Sequence, residues 1–230
     1  MRLGDKRASI EAAIGKVSDG ATIMVGGFGV PGTPFNLIAE LVRQGQKGLT
    51  LIKNDANEQG MGIDHLLASG QVDRLITTHL GLNANAIAMM NSGDVEVEFC
   101  AQGILAERIR CGGAGLKGFV TDIAIDTDLA HGKQVVAMDG ANYLIETALR
   151  ADNALVHAEC ADVFGNLCFT KTARNFNPLM AMAADCVVAQ SNQCVAVGGI
   201  DADAVHTPGA FVDHVVPISL LHEEYAVVRR

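Results

Sequence analysis

The sequence predicts an α/β fold: a mainly parallel open sheet with helices on both faces, plus a small β-hairpin insertion. Three observations predict it. Short apolar, β-prone runs alternate regularly with segments of helical periodicity through the first half of the chain. The 230 residues are 49% hydrophobic but only 4% aromatic, with no Trp, so the core has to be aliphatic, as strands buried on both faces require. Polar or glycine-rich loops follow the strands at their carboxyl ends, where open α/β sheets place ligands. A chain of this length fits one domain, residues 1–230.

Each element has its own signal. Residues 9–17 read as a short helix closed by Ser18-Asp19-Gly20, and residues 22–25 as the first strand. The loop Gly26, Gly27, Phe28, Gly29, Val30, Pro31, Gly32 follows. Its glycines free the backbone for positive φ and let a ligand approach the main chain. Thr33 reads as an N-cap and Pro34 as the first helical residue of 34–43, where Leu37, Ile38, Leu41 and Val42 form one apolar stripe. A strand at 49–53 runs into the polar loop 54–60. A helix at 64–68, a strand at 74–78, a helix at 83–90, a strand at 95–100 and a helix at 103–110 continue the alternation. After Phe119 the texture changes: the β-prone run 135–138, the Asp139-Gly140 turn and a run near 143–145 read as a hairpin laid onto the body. Strands at 154–158 and 186–189, a helix at 178–183 and an apolar tail at 212–218 complete the chain.

Composition excludes several classes. A formal charge of −9 provides no basic footprint for nucleic acid. No N-terminal apolar segment and no run of roughly 18 apolar residues is present, so the chain reads as soluble, cytoplasmic and not membrane-bound. The six cysteines lack C-x-x-C or zinc-ligand spacing and the seven histidines are scattered. No metal site is expected, and the cysteines read as buried thiols in a reducing compartment.

Two chemistries compete for the glycine loop. Gly27, Gly29 and Gly32 match G-x-G-x-x-G and Asp55 stands where a ribose-binding acid would, which suggests an NAD-dependent oxidoreductase. Pro31 and Pro34 oppose it, because they push the helix start beyond the third glycine and widen the loop. Asn54, Asp55 and Gln102 sit where strands end beside glycines. Gln102, followed by Gly103, reads either as an amide donor to a carboxylate or as a cap of its own helix. Asn54 reads as a donor or as a turn residue, and Glu58 as a catalytic carboxylate or a solvated one. Arg108 and Arg110, two apart, cannot share a helix face. Arg174, Asn175 and Asn177 read as a helix entrance with capping asparagines.

Five blocks together resemble one family. MVGGFGVPGTPFNLI, Lys53-Asn54-Asp55-Ala56, AQGILAERIRCGGAG, ARNFNPLMAMAAD and VHTPGAFVDHVV, spread over residues 9–217, are similar to the A (alpha) subunit of family I coenzyme A transferases acting on 3-oxoacids, acetate, butyrate and acetoacetate. The resemblance implies coenzyme A as a substrate with no permanently bound cofactor, and a homologous B (beta) subunit for partner in an α2β2 hetero-oligomer. It implies ping-pong transfer through a glutamyl thioester. The nucleophilic glutamate belongs to a Ser-Glu-Asn-Gly stretch of the beta subunit that this chain lacks, so no catalytic nucleophile is expected here, Glu58 included. Residues Gly26 to Gly32 match the loop associated with coenzyme A. Gln102, with Gly103, and Asn54, with Asp55, match the substrate carboxylate and acyl site. One departure stands out: residues 121–127, TDIAIDT, replace a Thr-Pro-Thr-Gly-Val-Gly-Thr stretch. That change implies altered acyl selection or altered contact between the subunits, or a solvated hairpin. A paralogue that kept the fold and lost the chemistry is the remaining alternative.

Overall fold

The computed structural model describes residues 4–229, with side chains as far as residue 226. Its elements run α1 (Ile10–Ile14), β1 (Thr22–Val25), α2 (Phe35–Gln44), β2 (Leu49–Ile52), α3 (Asp64–Ala68), β3 (Val72–Thr77), α4 (Ala84–Ser92), β4 (Glu96–Phe99) and α5 (Gln102–Gly113). Then follow β5 (Gly118–Thr121), β6 (Val135–Met138), β7 (Ala141–Thr147), β8 (Ala151–Asp162), β9 (Leu167–Cys168), α6 (Asn177–Met182), β10 (Ala184–Val195) and β11 (His214–Pro217).

The main sheet has the order β11-β10-β8-β1-β2-β3-β4, with every neighbour along this path parallel, and β9 pairs antiparallel with β8. Successive strand residues point to opposite faces, and each face has its own core. Ile23 and Val25 of β1 join Leu51 and Leu75 against α1, α2, α3 and α4. Met24 joins Ile52, Ile76 and Val156 against Leu105 and Ile109 of α5 and Met180 of α6. Helices therefore cover both faces, as expected from the sequence.

The chain builds outward from β1 to β4, then returns to the other side of β1 through β8. The strand order reverses between β1 and β8, and the crevice outside the carboxyl ends at such a point is where open α/β sheets bind ligands. The glycine loop leaves β1 there.

Several elements differ from their sequence expectation. β8 and β10 each span 12 residues and pair over 10 positions, much longer than the predicted runs, because polar Asn153, His157, Gln190 and Ser191 are buried in them. The predicted hairpin is present as β6–β7 and gains β5 on its other edge. Arg108 pins this three-stranded sheet to the body: it is buried, lies 2.6 Å from Glu98 of β4 and donates to the Thr147 carbonyl at 2.8 Å. Arg110 instead pairs with Glu107 on the exposed side of α5. The cysteines are all free, but only Cys100 and Cys111 are buried; the other four are partly exposed. Among the described residues no helix is long and apolar enough to cross a membrane.

Candidate functional site

Four strand ends converge on the crevice: the glycine loop after β1, residues 53–57 after β2, His79 after β3, and Gln102 after β4. The loop is locked from inside by Asp55. Its carboxylate accepts from the Gly29 N–H at 2.9 Å, the Asn54 amide at 3.0 Å and the Asn57 N–H at 2.9 Å, and faces the Lys53 ammonium at 3.2 Å. Burial pushes this carboxyl up, but Lys53 and the three N–H donors outweigh burial and hold it down to about 2. Lys53 is fully buried, which pulls its ammonium below the ordinary value against the opposing charge of Asp55. Asp55 is therefore an ionised internal brace. With all these partners it has no capacity left for a ribose hydroxyl, which removes the main support for a nicotinamide site.

A second set of contacts supports the loop from β8, α6 and the segment before it. Asn177 donates to the Gly32 carbonyl at 3.1 Å and accepts from the His157 N–H at 3.2 Å, while Asn175 donates to the Pro31 carbonyl at 2.9 Å. The close fit explains two of the glycines. A Cβ on Gly26 would lie 1.9 Å from Asn177 Oδ1, and one on Gly32 2.4 Å from the Ala173 carbonyl oxygen. The two asparagines therefore reach back to the loop across more than 140 residues. This corrects the expectation that both serve as caps: α6 begins at Asn177 itself and has no side-chain cap from its N-cap residue Phe176.

The entrance to α2 is likewise built from afar. Pro34 occupies the N-cap position, not the first helical position, and Thr33 does not cap. Its hydroxyl instead donates to the Gly29 carbonyl at 2.7 Å and closes the loop on itself. The Leu37 N–H is satisfied by Gln190 Oε1 of β10 at 3.0 Å, and Gln190 Nε2 in turn meets His157 Nδ1 at 3.0 Å. Burial holds His157 down to about 4, so it is neutral at pH 7 and accepts this bond on Nδ1. From the C-terminal segment Tyr225 donates to the Thr33 carbonyl.

Gln102 does not serve as a cap of its own helix. It is exposed at the first position of α5, and its amide donates to Asn54 Oδ1 at 2.9 Å and not to its own helix. A continuous chain results: Gln102 to Asn54, Asn54 to Asp55, and Gly29 to the same carboxylate. One amide hydrogen of Gln102 remains for a ligand. Gly103 lies exposed beside it, and α5 starts without a side-chain cap or an acid in its first turn, so its N-terminus favours an anion. Asn54 is completely buried and acts as the link between Gln102 and Asp55.

The sequence and the fold both match known proteins. The family model described as Coenzyme A transferase matches residues 7–217. The chain belongs to the coenzyme A transferase family. It is 46% identical over 215 residues to the A-type subunit of the succinyl-CoA:3-ketoacid coenzyme A transferase of Xanthomonas campestris, covering 93% of this chain and 89% of that one. It is 43% identical over 211 residues to the alpha-type subunit of the acetate CoA-transferase of Escherichia coli, covering 92% and 96%. An acyl-CoA transferase of E. coli O157:H7 shares the fold with a TM-score of 0.85 at 21% identity, over 95% of this chain and 48% of that one. This coenzyme A transferase chain is thus of the A, or alpha, kind. The fold brings Gly26 to Gly32, Asn54, Asp55 and Gln102, which the sequence singles out, to the carboxyl ends of neighbouring strands. Lys53, Asn57 and Gln190 join them without a sequence signal: Lys53 is a buried charge inside a strand-like run, and Asn57 and Gln190 bond to residues 28 and 153 positions away.

Proposed function

We propose that this chain, with a homologous beta subunit, moves coenzyme A between an acyl-CoA and a short-chain carboxylic acid such as acetate, butyrate or acetoacetate. The observation that carries the reading is the hydrogen-bond chain from Gln102 through Asn54 and Asp55 to Gly29, which ties an exposed amide donor to the glycine loop. In this reading residues 26–32 receive the pantetheine arm and the thioester, with main-chain N–H groups near the developing oxyanion. Gln102 and the N-terminus of α5 at Gly103 hold the acid's carboxylate. Fixed donors of this kind stabilise an oxyanion by about 2.7–4 kcal/mol in other enzymes.

The nucleophile is a glutamate of the beta subunit, which attacks the acyl-CoA carbonyl and expels the CoA thiolate to leave a mixed anhydride. The thiolate then attacks the glutamyl carbonyl, releasing the first acid and leaving an enzyme thioester, and the second acid reverses these steps. The names of the similar chains, from a 3-ketoacid and an acetate transferase, support the substrate class and the two-subunit assembly, for which we propose α2β2. The chain itself binds no permanent cofactor in this scheme.

Co-expression with the beta subunit, followed by an assay of transfer from acetyl-CoA to acetoacetate and to butyrate, tests the reading. Activity requiring both chains is expected, with kcat/KM for the acid falling about 10- to 100-fold in Gln102→Ala, the range of a hydrogen bond to a charged group. A stable complex without transfer to either acid would refute it.

A further inference from the structure

A cavity of about 130 Å³ lies between the glycine loop and the loops that follow β2 and β3. Phe28, Val30, Met61 and Leu82 form its apolar walls, and Asp55, Asn57, Glu58 and His79 belong to its polar side. Asp55 thus serves two places: its carboxylate holds the Asn54–Gln102 chain, and the same residue borders the cavity.

Two of these polar residues, Asp55 and Asn57, are already committed. Asp55 accepts from Gly29, Asn54 and Asn57 and faces Lys53. Asn57 donates to the Gly29 carbonyl at 2.9 Å and accepts from the Ile63 N–H at 3.1 Å. A pantetheine segment, with two amides to satisfy, would find neither Asp55 nor Asn57 free to pair with it, whereas a hydrocarbon chain needs neither and fits the four apolar side chains. Size points the same way: an apolar protein cavity of about 150 Å³ holds benzene, so this one has room for about six carbon atoms. Met61 is nearly inaccessible at the inner wall, and Leu82 is 68% exposed at the rim.

We propose that this cavity takes the acyl chain of the substrate and that Met61 and Leu82 set the chain length the enzyme accepts. The inference rests on the transfer reading above and deepens it: the carboxyl end of the acid stays at Gln102 while the tail enters between Phe28 and Met61. Each methylene that fits contributes about four-fold to kcat/KM, up to the point where the cavity is full.

The test uses the complex with the beta subunit, acetyl-CoA for donor, and straight-chain acids from propionate to octanoate for acceptors. Met61→Ala enlarges the inner wall and is expected to raise the ratio of kcat/KM for octanoate over butyrate about ten-fold, with KM for acetyl-CoA unchanged. Leu82→Phe, at an exposed position that does not threaten folding, narrows the mouth and is expected to lower that ratio about ten-fold. A ratio unmoved in Leu82→Phe and in folded Met61→Ala, with wild-type transfer intact, overturns the acyl subsite alone. Raised KM for acetyl-CoA with no change in chain-length preference overturns it in favour of a pantetheine site. Absence of transfer by the wild-type complex to every acid overturns the transfer reading and the subsite with it.

Discussion

Replacing Asp55 with Asn removes the charge that braces the glycine loop, and its cost can be worked from the structure. Asp55 is 4% exposed and Lys53 is 0% exposed, so solvent does little to screen the pair. Lowering a carboxyl from 3.8 to about 2 corresponds to roughly 2.5 kcal/mol of stabilisation at about 1.36 kcal/mol per pH unit. The folded value lies below the unfolded one, so this contribution is complete above about pH 5 and is lost as the pH falls towards 2. At neutral pH the substitution also strands the buried Lys53 ammonium, and breaking a buried pair from one side costs about 3–5 kcal/mol. Urea unfolding at pH 7 should therefore show Asp55→Asn less stable by about 3–5 kcal/mol. Lys53→Met/Asp55→Asn should recover much of the loss, because no buried charge remains without a partner. Between about pH 5 and 2.5 the gap between wild type and Asp55→Asn should narrow. A single variant within about 1 kcal/mol of wild type, or a double variant no more stable than the single one, would refute a charged brace.

Three further outcomes follow from other parts of the fold. His157 is held at about 4 by burial while its unfolded value is near 6.5, so stability is complete above pH 6.5 and should fall by roughly 3 kcal/mol as the pH drops to 4; this slope should disappear in His157→Gln, read by denaturant titration across that window. Gly26→Ala forces a Cβ onto Asn177 Oδ1 and should weaken CoA binding by the complex at least about ten-fold, measured calorimetrically, with a lowered melting temperature. Ala124 has φ +67 in the segment that replaces a glycine-containing stretch, so Ala124→Gly should stabilise the chain by about 1 kcal/mol in urea unfolding despite the added entropy of the unfolded glycine.

The legible part of the fold was local. The strand at Thr22–Val25 and the apolar stripe of Leu37, Ile38 and Leu41 are written in neighbouring residues, and the structure keeps them within a residue or two. The lengths of β8 and β10 were not legible. Asn153, His157 and Gln190 interrupt their apolar patterns, and the His157 and Gln190 side chains are tolerable inside a sheet because they bond to each other and Gln190 also accepts from the Leu37 N–H of α2. The site divided along the same line. Glycine content exposed the loop, and strand-end position singled out Asn54, Asp55 and Gln102. The roles of those residues depended on contacts 26 to 48 positions apart, such as Gly29 with Asp55 and Gln102 with Asn54. Asn177 looked like a cap because its neighbours Phe176 and Pro178 form a helix entrance; its true partner, Gly32, is 145 residues away.

In the proposed division of labour this chain supplies the coenzyme A loop and the carboxylate donors, while the nucleophile belongs to the beta subunit. Intact-mass spectrometry of both polypeptides, after incubating the complex with acetyl-CoA and no acceptor acid, tests it most directly. The expected result is a CoA adduct on the beta subunit, this chain unmodified, and much less adduct when the complex carries Gln102→Ala. An adduct on this chain, at Glu58 or any other carboxylate, would contradict it.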